Sequence, residues 1–166
     1  KSENDDNKVF VDVGGGSTEF FYHKNGKSKI KSFQLGAVRM LHKKDNTEEW
    51  IKLREWINEN NIPKKLIGLG GNIRSFLKMH SMNSMSNIEF KKSYKKLSEM
   101  SFDDMVKKYH LSSDRADVIK NALEIYNEII KHSGIDKIKS TKWGVSDSIA
   151  VKLFHEIYSR KIDIKK

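Results

Sequence analysis

The chain has 166 residues, enough for one domain with a sizeable core, and its 32 Lys and Arg against 22 Asp and Glu give a net charge of +10. A hydrophobic fraction of 37% argues against intrinsic disorder, and the absence of Cys excludes disulfides, thiolate metal sites and cysteine nucleophiles. Because no apolar run reaches membrane-spanning length and no signal-peptide pattern opens the chain, we expect no membrane association and a cytoplasmic location.

The first predicted element is a hairpin near the start of the chain. Val9 to Val13 is a β-branched and aromatic run, typical of a strand buried on both faces, and Asp12 interrupts it. Three glycines, Gly14, Gly15 and Gly16, predict a flexible turn, and Ser17 to Tyr22 predicts the second strand. Folding about these glycines places Asp12 opposite Glu19 on one face, with Cβ atoms roughly 5 Å apart.

Two facing carboxylates destabilise a hairpin unless a positive charge lies between them, and a divalent cation carrying a phosphate meets that need. The glycines leave backbone N–H groups free for an anion, and Ser17 and Thr18 add hydroxyl donors. The hairpin therefore predicts a metal-phosphate site with Asp12 and Glu19 as the metal ligands. The alternative is an ordinary tight turn beside an Asp that caps the strand.

The rest of the chain predicts alternating elements. After the hairpin come a strand over 29–35, a helix that begins at Asn46 or Thr47 and stops before Pro63, a strand over 66–69 and a helix over 72–79. A Ser- and Met-rich stretch over 80–87 predicts a loop. Helical spacing follows near 90–97, 101–109 and 113–132, then a weak strand over 135–138 and a final amphipathic helix over 145–158.

Three meander strands followed by alternating strands and helices predict an α/β fold, with a mixed five-stranded sheet and helices on both faces. The predicted organisation is a linker over 1–8, a single lobe over 9–160 and a basic tail over 161–166. This order matches the ribonuclease-H-like lobe that occurs in pairs in the actin, Hsp70 and sugar-kinase superfamily.

Four stretches in order resemble the second lobe of the exopolyphosphatase/guanosine-pentaphosphatase (Ppx/GppA) phosphohydrolases. They are V-D-V-G-G-G-S-T-E at 11–19, L-G-A-V-R-M at 35–40, G-L-G-G-N-I-R-S-F at 68–76 and D-R-A-D-V-I at 114–119. A weaker fifth stretch, at 143–150, has Ser148 where that family commonly has Gly.

The resemblance implies roles for the residues of the hairpin. Asp12 would hold or orient Mg²⁺, Glu19 would position the attacking water, and Gly14 to Thr18 would cradle a terminal phosphoryl group. The implied substrate is inorganic polyphosphate or guanosine pentaphosphate. Gly70, Gly71 and Asn72 would form a strand-to-helix turn facing the nucleotide or phosphate, although a plain connection explains the same residues equally well.

Three basic positions near these motifs leave alternatives open. Arg39 and Arg74 could bind phosphate as guanidinium forks or pair with a surface carboxylate. Asp114, Arg115 and Asp117 open the longest helix, and we interpret them as a structural cap with an ion pair.

The stretch that carries the first phosphate loop and the general base in that family is not found here, so the chain resembles half an enzyme. We therefore expect an N-terminal lobe to be missing, little activity from the chain alone, and self-association into a homo-oligomer through the uncovered face. An inactive phosphate-binding module is the alternative. A sugar or acetate kinase would lack the 35–40 and 114–119 stretches. We do not expect a nucleic-acid partner, since the lysines are scattered and no recognition-helix signature occurs.

Overall fold

The computed structural model describes residues 7–141 of the chain. Its strands are β1 (Lys8–Val13), β2 (Thr18–Lys24), β3 (Lys27–Phe33), β4 (Lys65–Leu69), β5 (Ser84–Ser86) and β6 (Lys137–Ser140). Its helices are α1 (Ala37–Leu41), α2 (Thr47–Asn60), α3 (Gly71–Met79), α4 (Asn87–Ser98), α5 (Phe102–Tyr109) and α6 (Ser113–Ser133). The predicted final helix, the 143–150 stretch and the basic tail lie outside the described residues.

The strands form one mixed sheet in the order β3-β2-β1-β4-β6-β5. The β1–β4 and β4–β6 pairs are parallel, and the other pairs are antiparallel. The sheet has six strands rather than the predicted five, because β5 arises in the stretch predicted as a loop. A three-residue strand is too short to show alternation, and β5 owes its conformation to pairing with β6 and to the burial of Met85.

One face of the sheet carries the core. Its inward side chains are buried and include Val9, Val11, Val13, Phe20, Tyr22, Leu66 and Ile138. Among the helices of residues 7–141, α2, α3 and α6 pack on this face. Trp56 of α2 lies 5.0 Å from the ring of Phe20, Ile73 of α3 fills the space beside Gly68, and the Tyr126 hydroxyl of α6 donates to the Val11 carbonyl at 3.1 Å.

The opposite face carries a row of apolar side chains across four strands. Pairing aligns Ile30, Phe21, Phe10 and Ile67, of which Phe21 is 42% and Ile30 76% exposed. The prediction that the first strand is buried on both faces is therefore wrong for Phe10, which is half-buried. Within residues 7–141 no helix is long and apolar enough to cross a bilayer.

Helix α6 is the central helix of the lobe, as its broad apolar surface predicted. Its buried side chains are Ala116, Ile119, Ala122, Leu123, Ile125, Tyr126, Ile129 and Ile130. Gly134 ends it with a φ of +64°, the left-handed conformation expected at this position. The predicted start of α2 is also confirmed, since the Asn46 side chain accepts a hydrogen bond from the Glu48 N–H at 2.8 Å.

Candidate active site

The two predicted acidic residues face each other across the β1–β2 hairpin. Asp12 and Glu19 are direct partners in the antiparallel register, so both side chains lie on the face of the sheet opposite the core. Both are half-buried. The predicted hairpin geometry is therefore confirmed, and the two carboxylates stand at the carboxyl end of β1 beside the glycine loop.

The surroundings of Asp12 disfavour its charge. Partial burial raises the pKa of the Asp12 carboxyl above its usual 3.8, and the nearby charge of Glu19 raises the pKa further. A bound cation would offset both effects, so the pair fits a hard divalent ion. No group of three or more His, Asp or Glu side chains that could hold a metal occurs within residues 7–141. An ion held by Asp12 and Glu19 would take its other ligands from water and phosphate, as Mg²⁺ does.

Ser32 of β3 holds one oxygen of Glu19. Its hydroxyl donates to Glu19 Oε1 at 3.1 Å, and pairing places the two residues side by side. Ser32 was not among the predicted site residues. The register of the third strand against the second would have identified it, because the residue paired with Glu19 must share its face.

The glycine loop is fixed by α1. The Ala37 N–H donates to the Gly14 carbonyl, and the Val38 and Arg39 N–H groups both donate to the Gly15 carbonyl, each at 2.9 Å. The Arg39 Nε donates to the Gly16 carbonyl, also at 2.9 Å. Three consecutive loop carbonyls therefore point toward α1.

The same arrangement determines where the loop amides point. In a planar trans peptide the N–H points opposite to the preceding C=O. The amides of Gly15, Gly16 and Ser17 therefore point away from α1, and those of Gly15 and Gly16 donate to no backbone carbonyl among the described residues. Successive amides aimed outward form an anion-binding concavity of the kind the sequence predicts here.

Gly36 is packed directly against this loop. A Cβ at Gly36 would lie 2.5 Å from backbone atoms of Gly15 and Gly16, which cannot move without displacing the loop. We expect Gly36→Ala to lower the free energy of unfolding by about 1–3 kcal/mol, the usual range for overpacking. Thermal denaturation measures the effect, with Gly16→Ala as control because its Cβ would meet nothing within 4 Å. An unchanged Tm in Gly36→Ala would contradict this packing.

The prediction that the Thr18 hydroxyl donates to a phosphate is wrong. Thr18 is fully buried, and its hydroxyl donates to the Leu35 carbonyl at 2.7 Å. The hydroxyl faces the core because Thr18 alternates with Glu19 along β2. It ties the loop to the stretch before α1 instead of serving a ligand, whereas Ser17 is half-buried and its role stays a prediction.

The second glycine turn lies beside Asp12. Parallel pairing places Leu69 next to Asp12, and Gly70 follows with a φ of +80° at the start of α3. A Cβ at Gly70 would come within 3.0 Å of Asp12 Oδ1. The predicted strand-to-helix turn therefore adjoins the carboxylate pair, and the backbone of Gly71 continues it into the helix.

The side chain of Asn72 in this turn contacts protein groups. It is 8% exposed, its amide donates to the Val13 carbonyl at 3.3 Å, and its Oδ1 accepts a hydrogen bond from Arg115 Nη1. Both described contacts of this side chain are thus to protein groups, and a role of Asn72 in phosphate binding stays a prediction. Arg74 is half-buried in the first turn of α3, and its role as a phosphate ligand stays a prediction.

Two other basic residues differ from their predicted roles. Arg39 donates to the Gly16 carbonyl and, at 3.0 Å, to Gln34 Oε1. Its described contacts therefore stabilise the glycine loop on the side that faces α1. Asp114 lies in the first turn of α6, where a hydrogen bond from Ser112 lowers its pKa. The N-cap residue is Ser112, however, and its side chain forms no cap hydrogen bond, so the predicted cap is wrong. Arg115, however, reaches the second glycine turn, a long-range contact that no local pattern indicated.

Solved structures with this fold include Ppx/GppA phosphatases and exopolyphosphatases. A Ppx/GppA phosphatase from Aquifex aeolicus aligns with a TM-score of 0.74 and 20% identity, over 91% of this chain and 58% of that one. An exopolyphosphatase from Cytophaga hutchinsonii aligns with a TM-score of 0.70 and 16% identity, over 92% of this chain and 58% of that one. The chain thus spans a little over half the length of these structures.

Sequence comparison identifies a family for the chain, although no curated protein sequence matches it significantly. The model of the Ppx/GppA phosphatase family, however, matches residues 1–156, which is nearly the whole chain. The similar structures share its mixed α/β fold. The chain therefore belongs to the Ppx/GppA phosphatase family.

Proposed function

We propose that this chain is the second, C-terminal lobe of a Mg²⁺-dependent phosphohydrolase that cleaves terminal phosphoanhydrides of inorganic polyphosphate or guanosine pentaphosphate. The observation that carries the proposal is the direct pairing of Asp12 with Glu19 beside three outward-pointing loop amides. A carboxylate pair supplies ligands for a hard cation, and the amides supply donors for the phosphate that such a cation carries.

In the proposed chemistry, water attacks the terminal phosphorus while the bond from that phosphorus to the bridging oxygen breaks, which releases inorganic phosphate and the shortened substrate. Positioning and charge neutralisation provide most of the rate enhancement. Asp12 would hold the Mg²⁺, and the ion would neutralise charge on the phosphate oxygens. The amides of Gly15, Gly16 and Ser17 bind the terminal phosphoryl group. Glu19, oriented by Ser32, positions the attacking water.

An opposing lobe is part of the proposal. The chain spans 58% of the Aquifex aeolicus structure, and the face that carries Asp12 and Glu19 also exposes Phe21 and Ile30. A second lobe over this face would enclose the substrate and exclude water from the site. Without it, the loop is an open phosphate-binding surface, which is the second candidate function.

We expect the isolated 166-residue chain to release little or no phosphate from polyphosphate or guanosine pentaphosphate in the presence of Mg²⁺, and the full-length protein that contains it to release phosphate from one of them. Malachite-green detection of phosphate measures both, and kcat/KM for the two substrates identifies the preferred one. Asp12→Ala in the full-length protein is the control for contaminating phosphatase. Phosphate release by the isolated chain that is lost on Asp12→Ala would show that the lobe acts alone.

A further inference from the structure

Helix α6 reaches the end of β1 through a pair of polar side chains. Arg115, in the first turn of α6, donates from Nη1 to Asn72 Oδ1, and the Asn72 amide donates to the Val13 carbonyl at 3.3 Å. Val13 directly follows Asp12 and precedes the glycine loop. Arg115 therefore connects, through one buried amide, to the backbone that carries the metal-binding carboxylate.

The guanidinium of Arg115 is also packed against the second glycine turn. A Cβ at Gly71 would lie 2.6 Å from Arg115 Nη2 and 3.0 Å from its Cζ. Gly70, one residue earlier, is the residue in close contact with Asp12. The guanidinium thus packs against the residue that directly follows Gly70.

The placement of this charge is not explained by helix stability. A cation at the N-terminus of a helix opposes the helix dipole, which favours negative charge there. The guanidinium of Arg115, a residue of α6, nevertheless lies beside Gly71 at the start of α3. Asp114, in contrast, is an acidic residue in the first turn of α6, as the dipole favours. The Arg115 guanidinium instead forms a hydrogen bond with Asn72, which fixes the position of the Gly70–Asn72 turn.

Two more side chains of α6 hold the same region. Asn121 donates to the Ala37 carbonyl at 3.1 Å, and the Ala37 N–H donates in turn to Gly14. The Tyr126 hydroxyl donates to the Val11 carbonyl, and burial together with the Asp12 charge raises its pKa, so that it stays a donor. Carbonyls on both sides of Asp12 are therefore held by α6, directly or through one intervening residue.

We propose that Arg115 is a positioning residue for the phosphate site, which acts through Asn72 to hold the Gly70–Asn72 turn and the end of β1 against each other. Its effect on turnover rests on the proposed function, whereas its effect on the geometry of the turn does not. Removing the guanidinium frees Asn72 and loosens the approach of Gly70 to Asp12. We expect ground-state substrate binding to change little, because the described contacts of the Arg115 guanidinium are with the protein's own Asn72 and Gly71.

The test compares Arg115→Ala, Arg115→Lys and Asn72→Ala with Lys120→Ala. Lys120 is a matched control, since it is a half-buried cation on the same helix that donates to the Ser98 and Met100 carbonyls, away from both turns. In the full-length protein we expect Arg115→Ala to lower kcat by about 10-fold to 100-fold with KM little changed, as is usual when support of a metal site is lost. Arg115→Lys should recover only part, because an ammonium cannot reproduce the planar guanidinium.

Combining Arg115→Ala with Asn72→Ala should cost little more in kcat than either change alone, since both break one connection. Amide NMR spectra of the isolated chain provide a readout without activity. Arg115→Ala should shift the resonances of Val13 and Gly14, which Arg115 does not contact directly, while Lys120→Ala leaves them in place.

The possible results separate the two proposals. Unshifted Val13 and Gly14 resonances, fully additive effects on kcat, or a rise in KM alone would overturn the positioning role; a rise in KM alone would indicate direct substrate binding. A full-length protein that releases no phosphate would refute the proposed function, and the NMR comparison would still decide the role of Arg115.

Discussion

Replacing Glu19 with Gln should lower kcat of the full-length protein by about 100-fold or more and leave KM little changed. Gln keeps the size of the side chain and can still accept a hydrogen bond from the Ser32 hydroxyl. The change therefore removes the negative charge while preserving the shape of the site. A group that positions the attacking water acts mainly in the transition state, so its loss appears in kcat. Steady-state phosphate release measures both constants.

Ser32→Ala provides the matched comparison for this prediction. It leaves the Glu19 charge in place and removes the hydrogen bond that orients it. We expect a smaller loss of kcat than in Glu19→Gln, since the carboxylate can still reach the water in part of the molecules. A near-normal kcat in Glu19→Gln would refute the role of Glu19 and leave the hairpin as a phosphate cradle only.

The carboxylate pair could be predicted from the sequence because its geometry is local. A hairpin about Gly14 to Gly16 has a register fixed by the turn, and that register alone decides that Asp12 meets Glu19. The alternation of side chains along β2 also predicts that Thr18 faces the core, as it does. The prediction of a phosphate donor at Thr18 rested on its hydroxyl group alone. Side-chain direction along the strand is the better guide there.

The supports of the site could not be predicted in the same way. The contacts from α1 to the loop carbonyls and from Arg115 to Asn72 join residues far apart in the chain. They depend on how helices pack on the sheet, which no local pattern encodes. The short strand β5 was missed for a related reason, since pairing with β6 rather than its own composition makes it a strand.

Asp12→Asn should raise the Mg²⁺ concentration needed for half-maximal activity by about 10-fold to 100-fold, the range for loss of a group that holds or orients a metal. Asn keeps the size of the side chain beside Gly70 but carries no charge. Activity measured against Mg²⁺ concentration reveals the change, and Lys120→Ala serves again as the control. An unchanged Mg²⁺ requirement would show that Asp12 does not hold the ion.

The same substitution should stabilise the metal-free chain. Burial and Glu19 raise the pKa of Asp12, so the folded state binds this proton more tightly than the unfolded state does. The charged form at neutral pH therefore costs stability, a cost that disappears as the pH falls through the folded pKa toward 3.8. The amide introduced by Asp12→Asn carries no such charge at any of these pH values.

We accordingly expect Asp12→Asn to raise the free energy of unfolding at pH 7 without Mg²⁺ by roughly 0.2–1 kcal/mol, the range for relief of a cross-strand like-charge pair. The gain should shrink toward pH 4, where the native carboxyl takes up its proton. Saturating Mg²⁺ should reduce or reverse the difference, because the ion binds the folded native chain more tightly than the variant. Chemical denaturation at both pH values, with and without Mg²⁺, measures all three effects. If the variant is less stable than the native chain at pH 7 without metal, the Asp12 carboxylate stabilises the fold. That result would contradict the inference that burial and the Glu19 charge destabilise this carboxylate until a cation binds.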